Sequence, residues 1–203
     1  YADMDGLPVM YVTDGQQYSD DRLGAMVTVM DNLIHEGKLR PMIAVFIDMR
    51  VNGANKRGEL LVLNQKFVGF VADELTPVID GQYRTSTDRM DRGMLGTSLG
   101  GLNSMWFGYA AHETFGRLGV QSPAFHAGDG RIAGLMEDAP KRDIDIFLTY
   151  GTFYDFGDHT ERMLKILDAK GYDYGLEIVN EGHSWGNWSA LLDDILLRFW
   201  PAE

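Results

Sequence analysis

Met94-Leu95-Gly96-Thr97-Ser98-Leu99-Gly100-Gly101 is the stretch on which the fold turns. A short apolar run ends at Leu95, a G-x-S-x-G follows, and a helix-like segment begins at Gly101. In a strand-to-helix setting that motif forces its serine onto a strained turn, with the hydroxyl presented at the top of a sheet. Gly96 and Gly100 suit such a turn because a Cβ at either place would strike the neighbouring strand or helix. Ser98 is therefore the candidate nucleophile.

Outward from this point the chain alternates between two periods. Residues 8–12, 42–47, 144–150 and 174–179 read as buried strands, with a weaker one at 120–125. Helical spacing covers 21–37, with Leu23, Met26, Val27, Met30 and Ile34 on one face. It also covers 64–83, interrupted by Pro77, then 158–170 and 184–200. Strands alternating with helices predict parallel crossovers and a mostly parallel central sheet covered on both faces, a three-layer α/β sandwich. Residues 50–59, rich in Gly, Asn and charge, read as an irregular loop over the carboxyl edge of the sheet, where open α/β folds place their sites.

The 203 residues, 45% of them hydrophobic, suit one domain over 1–203 with a sizeable core. A net charge of −12 repels phosphate backbones, which argues against nucleic acid as a partner. No window approaches the roughly eighteen apolar residues of a membrane span. Cysteine is absent, which excludes thiol catalysis, disulfides and cysteine metal sites. The chain starts at Tyr1, which reads as a removed leader or a piece of something longer.

A serine hydroxyl needs a base during attack, and in this type of fold the order is Ser, acid, His. His35 and His112 are eliminated, the first by order and the second by lying about 20 Å along the helix after Ser98. His126 precedes any acid but can border the pocket on the acyl side. His159 falls in the first turn of a helix and reads as solvated. His183 follows the strand 174–179 in a loop, Asn180-Glu181-Gly182-His183-Ser184-Trp185, and is the candidate base. Two acids follow the strand 144–150. Asp155 is favoured over Asp158, which has a competing explanation as a helix N-cap. An oxyanion hole needs two backbone N–H groups. Leu99 supplies one, and Gln16, in the loop after the first strand, is chosen for the other. Further pocket candidates are Trp185, either a stacking platform or packing against the last helix, and Arg57, which with Arg50 and Lys56 either holds an anionic substrate or is paired and solvated.

Taken together, 11–16, 96–101, Gly151-Thr152 and 182–188, with 70–75 and 79–85, resemble the Putative esterase family of α/β-hydrolases. That family holds enterochelin esterases, esterase D, feruloyl and acetyl-xylan esterases and the mycolyltransferase antigens. The resemblance implies carboxylic-ester hydrolysis without metal or cofactor, with Ser98 as nucleophile, His183 as base, an acid after Gly151-Thr152 and oxyanion amides at Gln16 and Leu99. The substrate it suggests is a small-molecule or carbohydrate-linked ester, feruloyl or acetyl, acted on outside the cytoplasm. A siderophore trilactone is the second reading, and a non-catalytic ligand-binding member of the fold the third. The chain departs from the family in two places. The acid there often falls three residues after the glycine, where this chain has Tyr154. The family also carries two or three strands before the Asp14-Gly15 loop, and here about seven residues precede that strand. The domain is thus read as truncated at its N-terminus, with strand 42–47 on an open edge that a second subunit or a missing domain covers.

Overall fold

In the computed structural model, which describes residues 4–155 and 157–202, β1 (Val9–Thr13) divides its side chains between two cores. Val9 and Tyr11 join one, and Met10 and Val12 the other, as period two demands of a strand buried on both faces. The chain continues through α1 (Gly15–Tyr18), α2 (Met26–His35), β2 (Ile43–Ile47), β3 (Arg50–Val51), β4 (Ala54–Asn55), α3 (Arg57–Leu61), α4 (Gln65–Gly69) and α5 (Thr76–Gln82). Four strand–helix units follow: β5 (Arg92–Thr97) with α6 (Leu99–Ala110), β6 (Arg117–Gln121) with α7 (Arg131–Asp138), and β7 (Asp145–Phe153) with α8 (Asp158–Ala169). The last is β8 (Tyr174–Gly182) with α9 (Trp185–Ser189) and α10 (Leu192–Phe199).

The main sheet is parallel throughout, in the order β2-β1-β5-β6-β7-β8. The chain winds outward from β1 to β2, then returns to β5 and winds the other way. That reversal places a topological switch point between β1 and β5, where crevices open at carboxyl strand ends. One face is packed by α4, α6, α7 and α8 through Phe67, Leu102, Ile132 and Met163. The other is packed by α2 and α10 through Met26, Met30, Ile195 and Phe199. α6 lies between sheet and neighbouring helices with nine of its twelve residues buried, so it needs apolar character all round. β2 is an outer strand, as expected, and all five of its residues are half-buried.

Three expectations are corrected. The irregular loop at 50–59 is a two-stranded hairpin followed by α3. Its turn, Asn52-Gly53, has both residues at positive φ (51° and 78°), the conformation that Asn-Gly favours in a tight hairpin. The segment 64–83 is not broken at Pro77. A π-helical stretch over Phe70–Leu75 joins α4 to α5, and Pro77 sits in the first turn of α5, where its missing N–H costs little. The Thr76 hydroxyl donates to the Val71 carbonyl at 2.8 Å and helps hold the wide turn. The last helix, read as continuous from 184, is two. The Gln121 side-chain amide donates to the Trp188 carbonyl at 2.8 Å, occupying an acceptor that an unbroken helix would use.

Candidate active site

Between β5 and α6 a single residue, Ser98, makes the turn at φ 60°, ψ −115°, a region an L-residue occupies only under constraint. The constraint is backbone hydrogen bonding on both sides. The Ser98 N–H donates to the Gln121 carbonyl (2.9 Å), and the Ser98 carbonyl accepts from Leu102 (3.1 Å) and Ala124 (2.9 Å). The flanking glycines are required by close approach. A Cβ on Gly96 would meet the Gly100 backbone at 2.5 Å, and one on Gly100 would meet the Thr13 hydroxyl at 2.6 Å. The elbow is therefore pressed against the end of β1, from which the loop to α1 departs.

The candidate acid and base follow β7 and β8, nine-residue strands paired along most of their length. Between Gly151–Val179 and Phe153–Gly182 the register shifts, β8 using one residue more than β7. Tyr154, at φ 53°, then turns the chain so that Asp155 points back. Its Oδ1 lies 2.5 Å from Nδ1 of His183. Its Oδ2 accepts from the Ser122 hydroxyl (2.5 Å), the Gly151 amide (2.6 Å) and the Asn187 side chain (3.3 Å). The carboxylate is fully enclosed. Burial alone would raise its pKa, but the hydrogen bonds from His183, Ser122 and Gly151, with the charge of the imidazole, outweigh burial and hold it below the ordinary Asp value. An ionised acceptor at Nδ1 selects the tautomer with the proton there, leaving Nε2 as the basic nitrogen.

Trp188 locks this arrangement. Its indole N–H donates to the Ser122 hydroxyl at 2.7 Å, and its ring meets His183 edge-on at 4.9 Å between centroids. Gln121, which holds the Trp188 carbonyl, in turn accepts from the Tyr18 hydroxyl at 2.8 Å. Sequence reasoning passed over Ser122, Asn187 and the anchoring role of Trp188. The available signal was Gln121-Ser122, two polar residues where the apolar strand β6 ends.

Ser98, Leu99, Asp155 and His183 line one cleft of about 330 Å³, together with the loop from Ser122 to His126, Tyr154 and the start of α8. Leu99 opens α6, so its N–H has no intrahelical partner. Gln16 is the second residue of α1, in the segment that leaves the end of β1 where Thr13 meets the elbow, but is not in the wall of this cleft. His126 is exposed and lines the cleft.

The remaining candidates lie elsewhere. Asp158 is the first residue of α8, exposed, with Gly157 rather than Asp158 in the capping position. Trp185 is half-buried away from the cleft, edge-on to Tyr18 (5.0 Å) and Trp188 (5.2 Å), so packing is its role. Arg57 does not line the cleft either. Its Nε donates to both oxygens of Asp14 (2.9 and 2.8 Å) and its terminal nitrogen to the Thr97 carbonyl (3.0 Å). Arg50 is paired with Asp48 (2.7 Å) and Lys56 with Glu59 (2.8 Å). None of the cleft-lining residues is a lysine or arginine. Among the described residues no cluster of three or more His, Asp or Glu is placed to hold a metal ion, and no helix is long and apolar enough to cross a membrane.

A family model described as Putative esterase matches residues 1–199. The chain is similar to an endo-1,4-beta-xylanase/feruloyl esterase of Xylanibacter ruminicola, 31% identical over 118 residues that make up 57% of this chain and 16% of that protein. It is also similar to the iron(III) salmochelin esterase of Escherichia coli O6:H1, 26% identical over 207 residues, 93% of this chain and 50% of that one. Among solved structures, the enterobactin esterase FES of Shigella flexneri superposes with a TM-score of 0.86 at 22% identity, covering 96% of this chain and 52% of that one. The chain thus spans about half the length of two of these proteins and 16% of the third.

Proposed function

We propose that the chain, which belongs to the Putative esterase family, hydrolyses carboxylic esters through Ser98, His183 and Asp155. The observation that carries this reading is geometric. A serine held on a strained strand-to-helix turn shares one cleft with an imidazole whose Nδ1 is bound at 2.5 Å by a buried carboxylate.

The steps follow from those groups. Ser98 Oγ attacks the ester carbonyl carbon as Nε2 of His183 takes its proton, and the carbonyl oxygen becomes an oxyanion held by the Leu99 amide in the cleft wall. The Gln16 amide, behind that wall, is the second donor once substrate draws its loop in. Asp155 stabilises the imidazolium without itself being protonated. The tetrahedral intermediate collapses, the C–O bond to the alcohol breaks, and His183 gives its proton to the departing oxygen. Water then attacks the acyl-serine by the same route, releasing the acid and restoring Ser98.

For the substrate we favour a neutral, carbohydrate-linked ester, feruloyl or acetyl, met outside the cytoplasm. Arg50, Lys56 and Arg57 are each committed to a carboxylate, and the cleft wall has no lysine or arginine. An anionic siderophore trilactone would want fixed cations there, so it stands second. The outer edge of β2 we read as covered by a second subunit or a further domain; a concentration-independent monomer in light scattering opposes the first.

A fluorophosphonate probe should label Ser98, and Ser98→Ala should lower p-nitrophenyl acetate turnover by about 10⁴-fold or more with its circular dichroism unchanged. Labelling that misses Ser98, or near wild-type turnover in the variant, refutes the assignment and leaves a ligand-binding member of the fold. Comparing methyl ferulate, acetylated xylan and enterobactin as substrates tests the choice of ester.

A further inference from the structure

Three side chains at the mouth of the cleft have no part in the chemistry above: Tyr154, His126 and His159. Tyr154 is 100% exposed, an aromatic ring wholly in water on a non-glycine residue at φ 53°. Both features are unfavourable where Asn or Gly would turn the chain at less cost, and such residues persist chiefly where a site uses them. The next residue, Asp155, holds His183, and His159 is the second residue of the helix that follows it. This part of the rim is therefore tied to the base.

That location has a chemical meaning. The departing alcohol oxygen must come within hydrogen-bond reach of His183 Nε2, so the alcohol part of the ester lies toward the base. His126 and His159 are both exposed, with ring centroids 6.3 Å apart and planes inclined at 59°. The His159 ring is seated so closely on Gly130 that a Cβ there would meet it at 2.8 Å. A neutral imidazole offers one donor and one acceptor. An open aromatic face sharing the cleft with two imidazoles, and with no lysine or arginine in its wall, matches a sugar ring, which presents C–H groups on its faces and hydroxyls around its rim.

Resting on the hydrolase reading above, we propose that Tyr154, His126 and His159 form the subsite for the sugar that carries the ester oxygen. Tyr154 stacks on the sugar face, and the two imidazoles bond its hydroxyls.

The test varies the alcohol and keeps the acyl group fixed. kcat/KM is measured on a feruloylated xylo-oligosaccharide and on methyl ferulate, or on acetylated xylo-oligosaccharide and methyl acetate, whichever acyl group the wild type turns over. The ratio of sugar ester to methyl ester is the readout. Tyr154→Ala should lower it about tenfold, the scale of one aromatic contact, and His159→Ala about threefold or more. Tyr154→Phe and Tyr154→Trp, which keep a ring, should hold it within about twofold. A wild-type ratio no greater than one, or a ratio unmoved in both alanine variants, overturns the subsite while the hydrolase reading stands. Failure of the wild type to react with fluorophosphonate or with either methyl ester brings down the hydrolase reading, and the subsite with it.

Discussion

Replacing Arg57 by alanine cuts a link between the two segments that would deliver the oxyanion amides and the nucleophile. Its guanidinium bonds both oxygens of Asp14 and, through its terminal nitrogen, the carbonyl of Thr97, the residue before Ser98. Asp14 is 1% exposed and sits at φ 54°. The Gly15 after it packs so tightly on the backbone of Phe46 and Ile47 that a Cβ would meet it at 2.5 Å. Removing one member of a buried ion pair costs about 3–5 kcal/mol when the other is left uncompensated. Arg57 is itself 26% exposed, so water partly replaces it and about 2–3 kcal/mol is the better figure. For a chain of this size that lowers Tm by about 5–10 °C.

The catalytic effect should be separable from that loss. Losing one oxyanion donor costs about 10²–10³ in kcat; a loosened one should cost about 10–100-fold, with KM for p-nitrophenyl acetate changed little because the alcohol and acyl contacts lie elsewhere. Arg57→Lys should recover part of the stability through its charge but little of kcat, since an ammonium cannot span Asp14 and Thr97 together. Burial pushes the Asp14 pKa up, and the charge and hydrogen bonds of Arg57 oppose that rise. Without the guanidinium the rise is larger. A raised folded-state pKa means stability is lost as pH rises through it and regained below the unfolded value of about 3.9. The deficit of Arg57→Ala should therefore be full at neutral pH and narrow as pH falls toward about 4. Thermal scans across pH, with kcat and KM well below Tm, decide the matter. A wild-type kcat in a variant that has lost 5 °C would show that the oxyanion segment needs no such brace.

Asp155→Asn should lower kcat by about 10³–10⁴ through the wrong imidazole tautomer, whereas Asp158→Asn, at an exposed helix start, should stay within about twofold; equal losses in steady-state assays would reopen the choice of acid. Gly151→Ala would drive a Cβ into the Glu181 carbonyl, forcing β8 off β7 at the point where their carboxyl ends carry His183 and Asp155. Its kcat should fall about 10–100-fold at a cost of about 1–3 kcal/mol in urea unfolding, and an unchanged kcat would show that the register shift does not set the pair. The folded-state pKa of Asp155 is depressed, so its contribution to stability is present above about pH 3.9 and lost as pH falls through the lower folded value. Asp155→Asn should accordingly unfold with a shallower acid dependence than wild type below about pH 4, measured by urea midpoints.

The parts of the fold legible in the sequence were those with local causes. Apolar runs gave β1, β2, β7 and β8, and the steric demand on Gly96 and Gly100 identified the elbow. The choice between Asp155 and Asp158 was not local. It depends on an extra residue in β8 and on a left-handed Tyr154, neither of which leaves a compositional trace. Arg57 stayed open between a substrate contact and a paired or solvated cation because its partner Asp14 is 43 residues away, and Trp185 between a stacking platform and packing because exposure of a tryptophan cannot be read from its neighbours. The hairpin at Asn52-Gly53 did carry its signal and was passed over in favour of the surrounding charge.

A layer beneath the site explains why function was more legible than individual contacts. Thr97, Gln121 and Thr149 are direct register partners across β5, β6 and β7. Thr13 ends β1 beside them, and all four are essentially buried. A hydrophobic core has no use for polar side chains at zero to two per cent exposure unless they are bonded or border a polar region. Here Thr13 and Gln121 each support a neighbouring element, through the Leu95 carbonyl in one case and Tyr18 and Trp188 in the other. The residues just beyond this layer are Asp14, Ser98 and Ser122, and the loop after β7 adds Asp155. Each apolar run therefore changes character at the same height, and the first polar residues past that height include the ones the proposed chemistry uses.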